Sequence, residues 1–182
     1  MEFSWGDIFK IAVTAGLVNV LLNQGVNWYR EHSSKKALAA YTAMRIAVVL
    51  ESFAKACASF IQENNNAQTF PDQEFPDWNI SLPPLGNYPD DPEGWRALDR
   101  GLAGRALELK NNLHISQDII SGTIEYVIED LESELTKNAA SRGLEAWNLA
   151  VELRRKHSVG PAQPILTYAE TLEKSLEKLD QI

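Results

Sequence analysis

Five acidic or imidazole side chains in the segment 112–135 recur at intervals that bring them onto one face of a helix. These residues are His114, Asp118, Glu125, Glu129 and Glu132. Side chains of this kind bind divalent metal ions in helical bundles when Glu-x-x-His pairs or a second helix complete the ligand set. No Glu-x-x-His pair occurs here, and the set lies opposite the apolar residues of its own segment. We therefore predict a solvated outer face, and a metal-dependent enzyme is the less favoured interpretation.

Sequence motifs for other kinds of chemistry are absent from the chain. It contains no Gly-x-x-x-x-Gly-Lys, Gly-x-Gly-x-x-Gly, His-Glu-x-x-His or Gly-x-Ser-x-Gly segment, and no Arg-x(4–6)-His pattern of the helical ribonucleases. The basic run 154–157 is interpreted as compensation of a helix dipole at a C-terminus. We recognise no family whose motif residues could be transferred to this chain. The sequence therefore predicts no catalytic residue, no cofactor and no metal ligand.

Cys57 is the single cysteine of the chain and lies among Ala54, Ala56 and Ala58. One cysteine excludes an intramolecular disulfide and is typical of a reducing compartment. A reactive thiol needs exposure and a cationic neighbour, and only Lys55 is close in sequence. We predict that Cys57 is a small, buried packing residue.

Composition and charge describe a single acidic domain with an unusual first segment. The 182 residues include 45% hydrophobic and 23% charged residues, which excludes collagen-like, mostly disordered and polytopic membrane proteins. The net charge is −8, from 17 basic and 25 acidic residues. Residues 1–36 carry +1, so the remainder carries −9, and no Lys or Arg lies between Lys55 and Arg96. An acidic chain without a basic block is not expected to bind nucleic acid.

The first segment has the properties of a membrane span. Residues 8–26 are mainly apolar and contain neither proline nor an acidic residue. A helix from Trp5 to Trp28 is about 34 Å long, close to the thickness of a bilayer core. Aromatic residues at both ends are typical of interfacial anchoring, and the basic residues after the second end favour a cytoplasmic C-terminal side. We predict a membrane-anchor helix at 1–32 in the cell (inner) membrane, with the N-terminus outside. Its anchoring residues are Trp5, Trp28, Tyr29, Arg30, Lys35 and Lys36.

Polar residues within this segment support two different interpretations. Ala12, Gly16, Asn19 and Asn23 fall on one stripe of the helix, where small residues permit close approach and Asn side chains bond across a helix pair. This pattern predicts self-association into a homo-oligomer. The same Asn residues disfavour a lone span, so a soluble or interfacial amphipathic helix is the alternative. A signal peptide is disfavoured, because no basic segment precedes the apolar run and no small-x-small site follows it.

Residues 33–182 are predicted to form an all-α bundle of four to five helices, since no useful length alternates with a period of two. Helical periodicity covers 35–63, after a Ser33–Ser34 N-cap pair, and then 112–135, 139–157 and 164–180. Asp91-Pro92-Glu93 signals another helix start, and Gly101 and Gly104 predict a short or broken helix over 100–110. The predicted apolar face of 112–135 comprises Leu113, Ile119, Ile120, Thr123, Ile124, Val127, Leu131 and Leu135.

Residues 64–94, here called the strap, are predicted to be extended. They contain six of the eight prolines together with Phe70, Phe75, Trp78 and Tyr88. This composition excludes a helix, and its aromatic residues argue against a solvated linker. We expect the strap to pack on the helices. Its segment 82–85, Leu-Pro-Pro-Leu, is also a candidate polyproline II ligand for a protein partner.

Together these features predict a non-enzymatic protein with a long N-terminal helix and an all-α body. The leading hypothesis is a single-pass membrane protein that acts as an oligomeric scaffold, adaptor or membrane effector. The alternative is a soluble helical binding module whose N-terminal helix packs on the body or in a dimer. The two hypotheses differ in whether the first helix is part of the folded core.

Overall fold

The computed structural model describes the backbone of residues 5–68, 76–161 and 166–179. Side chains are described from Trp28 onward within these ranges, except for Tyr29, Leu166 and Thr167. Five α-helices and a single 3₁₀ turn account for the regular structure of these residues, which include no β-strand. The helices are α1 Trp5–Asn65, α2 Pro92–Ala97, α3 Arg100–Tyr126, α4 Leu131–His157 and α5 Leu166–Leu179, and the 3₁₀ turn is Ile128–Asp130. The predicted all-α class is confirmed.

Helix α1 runs without interruption for 61 residues. The absence of proline before Pro71 permits this length, because each backbone amide can continue the hydrogen-bond ladder. The prediction that Ser33–Ser34 cap a separate helix is wrong: both residues lie inside α1 with exposed side chains. The chain divides into two compact units within this helix, Met1–Leu38 and Ala39–Ile182.

The core of the second unit is built from α1, α3, α4 and α5. Its largest buried side chains include Ile46 and Leu50 of α1, Leu109 of α3, Leu149 of α4 and Leu172 of α5. α4 packs against both α3 and α5. Arg105 pairs with Glu152, and Asn112 bonds Glu145, so α3 and α4 are antiparallel. Full burial of one such Leu or Ile stabilises the fold by roughly 1.5–3 kcal/mol.

The predicted continuous helix over 112–135 is wrong, because the chain turns between α3 and α4. Val127 leaves the helical region with φ −146° and ψ 63°, and the 3₁₀ turn Ile128–Asp130 leads into α4. The β-branched pair Val127–Ile128 has modest helix propensity, and Glu132 and Glu134 favour a new helix N-terminus. Apolar residues continue through the turn, so the periodicity alone does not reveal it.

Aspartate caps set the starts of α2 and α3, as the sequence indicates. The Asp91 carboxylate accepts a hydrogen bond of 3.0 Å from Gly94 N, with Pro92 at the first helical position. Asp99 accepts bonds from the amides of the first turn of α3, which lower the pKa of its carboxyl group. The prediction of a short or broken helix after it is wrong, since α3 continues through Gly104 to Tyr126.

Within the strap, residues 76–91 are extended and are held to the helices by side-chain amides. The predicted extended range is too long at both ends, because residues 64–65 belong to α1 and residues 92–94 to α2. Asn64 of α1 bonds both backbone groups of Asn79, at 2.8 and 3.0 Å. Gln117 of α3 accepts from Leu82 N and donates to Ile80 O, at 2.9 and 3.1 Å. These two amides replace part of the hydrogen-bond ladder that an extended segment outside a sheet lacks.

Aromatic rings complete the packing of the strap. The Tyr88 hydroxyl donates to Ala106 O at 2.9 Å, and burial raises its pKa to about 12. Trp95 Nε1 donates to Pro89 O at 2.9 Å, with its ring edge-on to Tyr88. Leu82 and Leu85 pack against the core. The expectation that the strap packs on its own helices is confirmed, and recognition of 82–85 by a partner stays a prediction.

Candidate functional site

The predicted anchoring residues whose side chains are described lie on the surface of α1. Trp28 is 68% exposed and stacks on His32, with ring centroids 5.6 Å apart. Arg30, Lys35 and Lys36 are also exposed. The Lys35 ammonium lies 2.8 Å from Glu31 and lowers the pKa of that carboxyl group. An exposed pair of this type contributes little to stability. The three cationic side chains therefore lie on the surface without a strong interaction that ties them to the body.

The other predicted residues of this helix fall where only the backbone is described. Trp5, Ala12, Gly16, Asn19, Asn23 and Tyr29 are helical, and their side chains lie outside the described set. Their spacing on one stripe therefore remains the sequence-based prediction, now on a helical backbone. Self-association through this stripe stays a prediction.

One helical segment among the described residues is long and apolar enough to cross a membrane, Arg30–Asn65. It lies near the N-terminus, downstream of the predicted span. Half of its most apolar window is buried inside the protein. The window therefore has the burial pattern of a core helix as well as the composition of a span.

A buried ion pair ties this apolar segment to α4. The Arg154 guanidinium donates to both oxygens of the Glu51 carboxylate, at 2.5 and 2.9 Å. Both side chains are nearly inaccessible to solvent, and Glu51 raises the pKa of Arg154. A planar two-bond contact of this kind is geometrically specific. It turns the partly buried Arg154 toward Glu51 of α1, which corrects the interpretation of the whole run 154–157 as dipole compensation.

The rest of the basic run lies at the α4 C-terminus. Lys156 Nζ is 3.5 Å from an Asp99 carboxylate oxygen. His157 is half-buried, its Nε2 has no hydrogen-bond partner among the described residues, and burial lowers its pKa. Ser158 ends the helix in the left-handed region, with φ 55°. Lys156 and His157 therefore lie where cationic groups interact favourably with the helix dipole.

The acidic set that the sequence singles out is exposed but does not share one helix. His114, Asp118 and Glu125 lie on α3, Glu129 lies in the 3₁₀ turn and Glu132 begins α4. The described residues include no group of three or more His, Cys, Asp or Glu side chains that could hold a metal ion. Each of the five side chains is solvent-exposed. The arrangement can attract cations over a surface, and it lacks the enclosed geometry of a metal site.

Cys57 is fully buried in the core, as its alanine neighbours predict. Burial raises the pKa of its thiol far above the usual range, which keeps it protonated. Its Cβ lies against Gly143 of α4, where an added methyl carbon would be only 2.9 Å away. Cys57 is therefore a packing residue at a close helix contact.

The sequence prediction missed a group of exposed apolar side chains at the α3–α4 turn. Ile119 and Val127 were expected on the buried face of a continuous helix, but both are exposed. Ile115, Tyr126 and Ile128 are exposed beside them. The sequence signal that indicates these residues is the run Tyr126-Val127-Ile128 inside an acidic segment. Consecutive residues of a helix point in different directions, so a continuous helix would bury only part of this run.

Comparisons with known proteins add no further assignment. No family model, curated protein or solved structure matches the chain.

Proposed function

We propose that this chain is a non-enzymatic, single-pass membrane protein. Its N-terminal helix anchors an all-α body on the cytoplasmic side, where the body acts as an oligomeric scaffold or adaptor. The observation that carries the proposal is the change along α1: no described side chain before Ala39 is buried, whereas many side chains from Ala39 to Asn64 are. A helix that was part of the fold would bury one face along its length.

The sequence upstream of this boundary supports an anchor. Residues 8–26 lack acidic residues and proline, and the basic residues Arg30, Lys35 and Lys36 follow them. Exposed cations next to a span interact with anionic lipid headgroups by about 1 kcal/mol each. Residues 37–182 carry −9 and would be repelled by the same surface. The charge distribution thus favours contact through the first helix alone.

The apolar segment Arg30–Asn65 is a poorer span than residues 8–26. It contains Arg45 and Glu51, and Glu51 is paired with Arg154 of α4. Withdrawal of this segment into a bilayer would break a buried ion pair, which costs roughly 3–5 kcal/mol when one partner is lost. We therefore place the anchor upstream of Arg30.

Membrane fractionation of the full-length chain tests the anchor. We expect it in the membrane pellet after washing with high salt and alkaline carbonate, with release by detergent. Leu17→Asp with Leu21→Asp should move it to the supernatant, because each Asp at a helix centre costs about 2.5–3.5 kcal/mol of insertion free energy. Ala37→Asp, beyond the span, is the matched control. Wild-type protein that stays in the supernatant without detergent contradicts the anchor and favours the soluble binding module.

The detergent-solubilised protein also tests self-association. Asn19→Leu with Asn23→Leu keeps the span apolar but removes bonds between helices, each contributing about 1 kcal/mol or less. We expect a smaller oligomer by light scattering. Val13→Leu with Val20→Leu, off the stripe, should leave the mass unchanged. Equal masses for all three proteins would refute the stripe as an association face.

A further inference from the structure

An exposed apolar surface lies at the α3–α4 end of the body. Ile115 and Ile119 of α3 are 50% and 46% exposed, and Tyr126 is 77% exposed. Val127 and Ile128 continue the surface into the turn. These five residues are here called the tip patch. Single exposed apolar residues are ordinary, but a contiguous group is typical of a binding surface.

Acidic residues, here called the acidic rim, flank the tip patch on one side of α3 and in the turn that follows it. The chain contains no Lys or Arg between Lys110 and Lys137, while six acidic residues fall in that interval. Five of them form no ion pair among the described residues: Asp118, Glu125, Glu129, Asp130 and Glu132. Lys178 of α5 borders the same depression as Glu129 and Asp130, and Lys137 pairs with the sixth acidic residue, Glu134. The field at this end of the body is therefore negative.

A glycine opens a notch within the tip patch. Gly122 lies on α3 between Ile119 and Tyr126, and a Cβ built there would meet nothing within 4 Å. Packing does not require this glycine, and its backbone does not have a positive φ. A glycine inside a helix lowers stability relative to alanine. Its absent side chain leaves room for the apolar side chain of a second helix to approach the backbone of α3.

From the apolar patch, its acidic rim and the notch, we infer that the tip patch is the docking surface for a basic amphipathic helix of a partner protein. Apolar side chains of such a helix contact Ile119, Tyr126 and the notch, while its Lys and Arg residues face the acidic rim. The proposal rests on the adaptor role proposed above but not on membrane anchoring. In that role, the tip patch is the surface of the body that binds the partner protein.

The position of the tip patch within the body fits this role. Asn65, the last residue of α1, borders the same depression as Glu129 and Asp130. Ala39, the first residue of the body, lies 26 residues earlier on the same helix, which is about 39 Å at 1.5 Å per residue. Glu129 and Asp130, which directly follow the last tip-patch residue, are therefore at the end of the body opposite Ala39 along α1. A second copy of this chain is a poorer occupant, because two acidic rims would repel each other.

Peptide binding to the full-length protein in non-ionic detergent tests the proposal. The probe is a fluorescent 14-residue helix with Leu on one face and Lys on the other. A peptide of the same composition in scrambled order and empty micelles are the blanks. We expect saturable binding by fluorescence anisotropy that is weakened about tenfold by Ile119→Ser with Tyr126→Ser. Leu107→Ser, at an equally exposed site on α3 outside the patch, should change binding less than twofold.

Two further variants separate docking from folding. Gly122→Gln should leave or raise the midpoint of thermal unfolding, yet weaken probe binding severalfold by filling the notch. Glu125→Gln with Glu129→Gln should weaken binding severalfold and reduce its salt dependence. The proposal is overturned if the scrambled peptide binds as tightly as the amphipathic probe. It is also overturned if Leu107→Ser weakens probe binding as much as Ile119→Ser with Tyr126→Ser does. A smaller oligomer only in the Ile119/Tyr126 variant also overturns it, because a second copy is then the occupant. Failure of fractionation with intact probe binding would reject the anchor alone.

Discussion

At the scale of single residues, small side chains decide how closely the helices approach. Gly143 of α4 faces both Cys57 of α1 and Leu172 of α5, and an added Cβ would lie 2.9 Å from each. The alanine neighbours of Cys57 predict its burial from sequence. The partners of Gly143 were not predictable, because they come from two helices that are distant in sequence.

Gly143→Ala is expected to lower the free energy of unfolding by about 1 kcal/mol, within a range of roughly 0–2 kcal/mol. The overpacking penalty, about 1–3 kcal/mol, exceeds the gain in helix propensity of roughly 1 kcal/mol. Gly104→Ala is the matched control, since a Cβ there meets nothing within 4 Å. It should raise stability by about 0.5–1 kcal/mol. Urea unfolding monitored by circular dichroism measures both, and an equal gain in the two variants would refute the close contact.

The buried pair Glu51–Arg154 shows another limit of prediction at this scale. The two residues are 103 positions apart. The spacing of Arg154 from Trp147 and Val151 predicts that it shares their helix face, but its partner Glu51 has no sequence signal. Only the packing of α4 against α1 brings the two side chains together. The acidic residues of the tip, in contrast, were correctly predicted to be solvated from their position opposite apolar residues.

At the scale of secondary-structure elements, the starts of α2 and α3 were more predictable than the turn between α3 and α4, which lies inside an apolar pattern. Asp91-Pro92 and Asp99 are local signals, and both residues cap helices. The α3–α4 turn has no proline and is itself helical in part, so the apolar spacing passes through it. Its position follows from the antiparallel pairing of two 27-residue helices, which is a tertiary property.

The α4 C-terminus predicts a pH dependence of stability. Burial lowers the pKa of His157 in the folded state, Asp99 partly opposes this effect, and Lys156 adds a smaller contribution that lowers the pKa. As the pH falls below about 6.5, His157 takes up a proton more readily in the unfolded chain than in the folded protein. The free energy of unfolding therefore decreases as the pH is lowered. We expect His157→Gln to lose less stability than wild type between pH 7.5 and 5.5 in urea titrations. Parallel pH profiles for the two proteins would contradict the burial effect.

At the scale of the whole molecule, the sequence predicted the all-α class and the extended strap. It did not predict the side-chain hydrogen bonds that hold the strap to the helices. Proline content excludes a helix over 76–91, yet the amides that hold it, Asn64 and Gln117, have no sequence signature. The continuous helix α1 was predictable from the missing prolines. The residue at which it becomes part of the core, Ala39, was not, because that position depends on where the other helices pack against α1.

The central claim is that the helix before Ala39 is an anchor and that residues 39–182 fold without it. Deletion of residues 1–37 tests this claim most directly. We predict a protein that is soluble without detergent, remains helical and unfolds cooperatively in urea at the same midpoint as the full-length chain in detergent-matched buffer. An unfolded or aggregated product, or a clearly lower midpoint, would contradict the claim and identify the first helix as a structural element of the body.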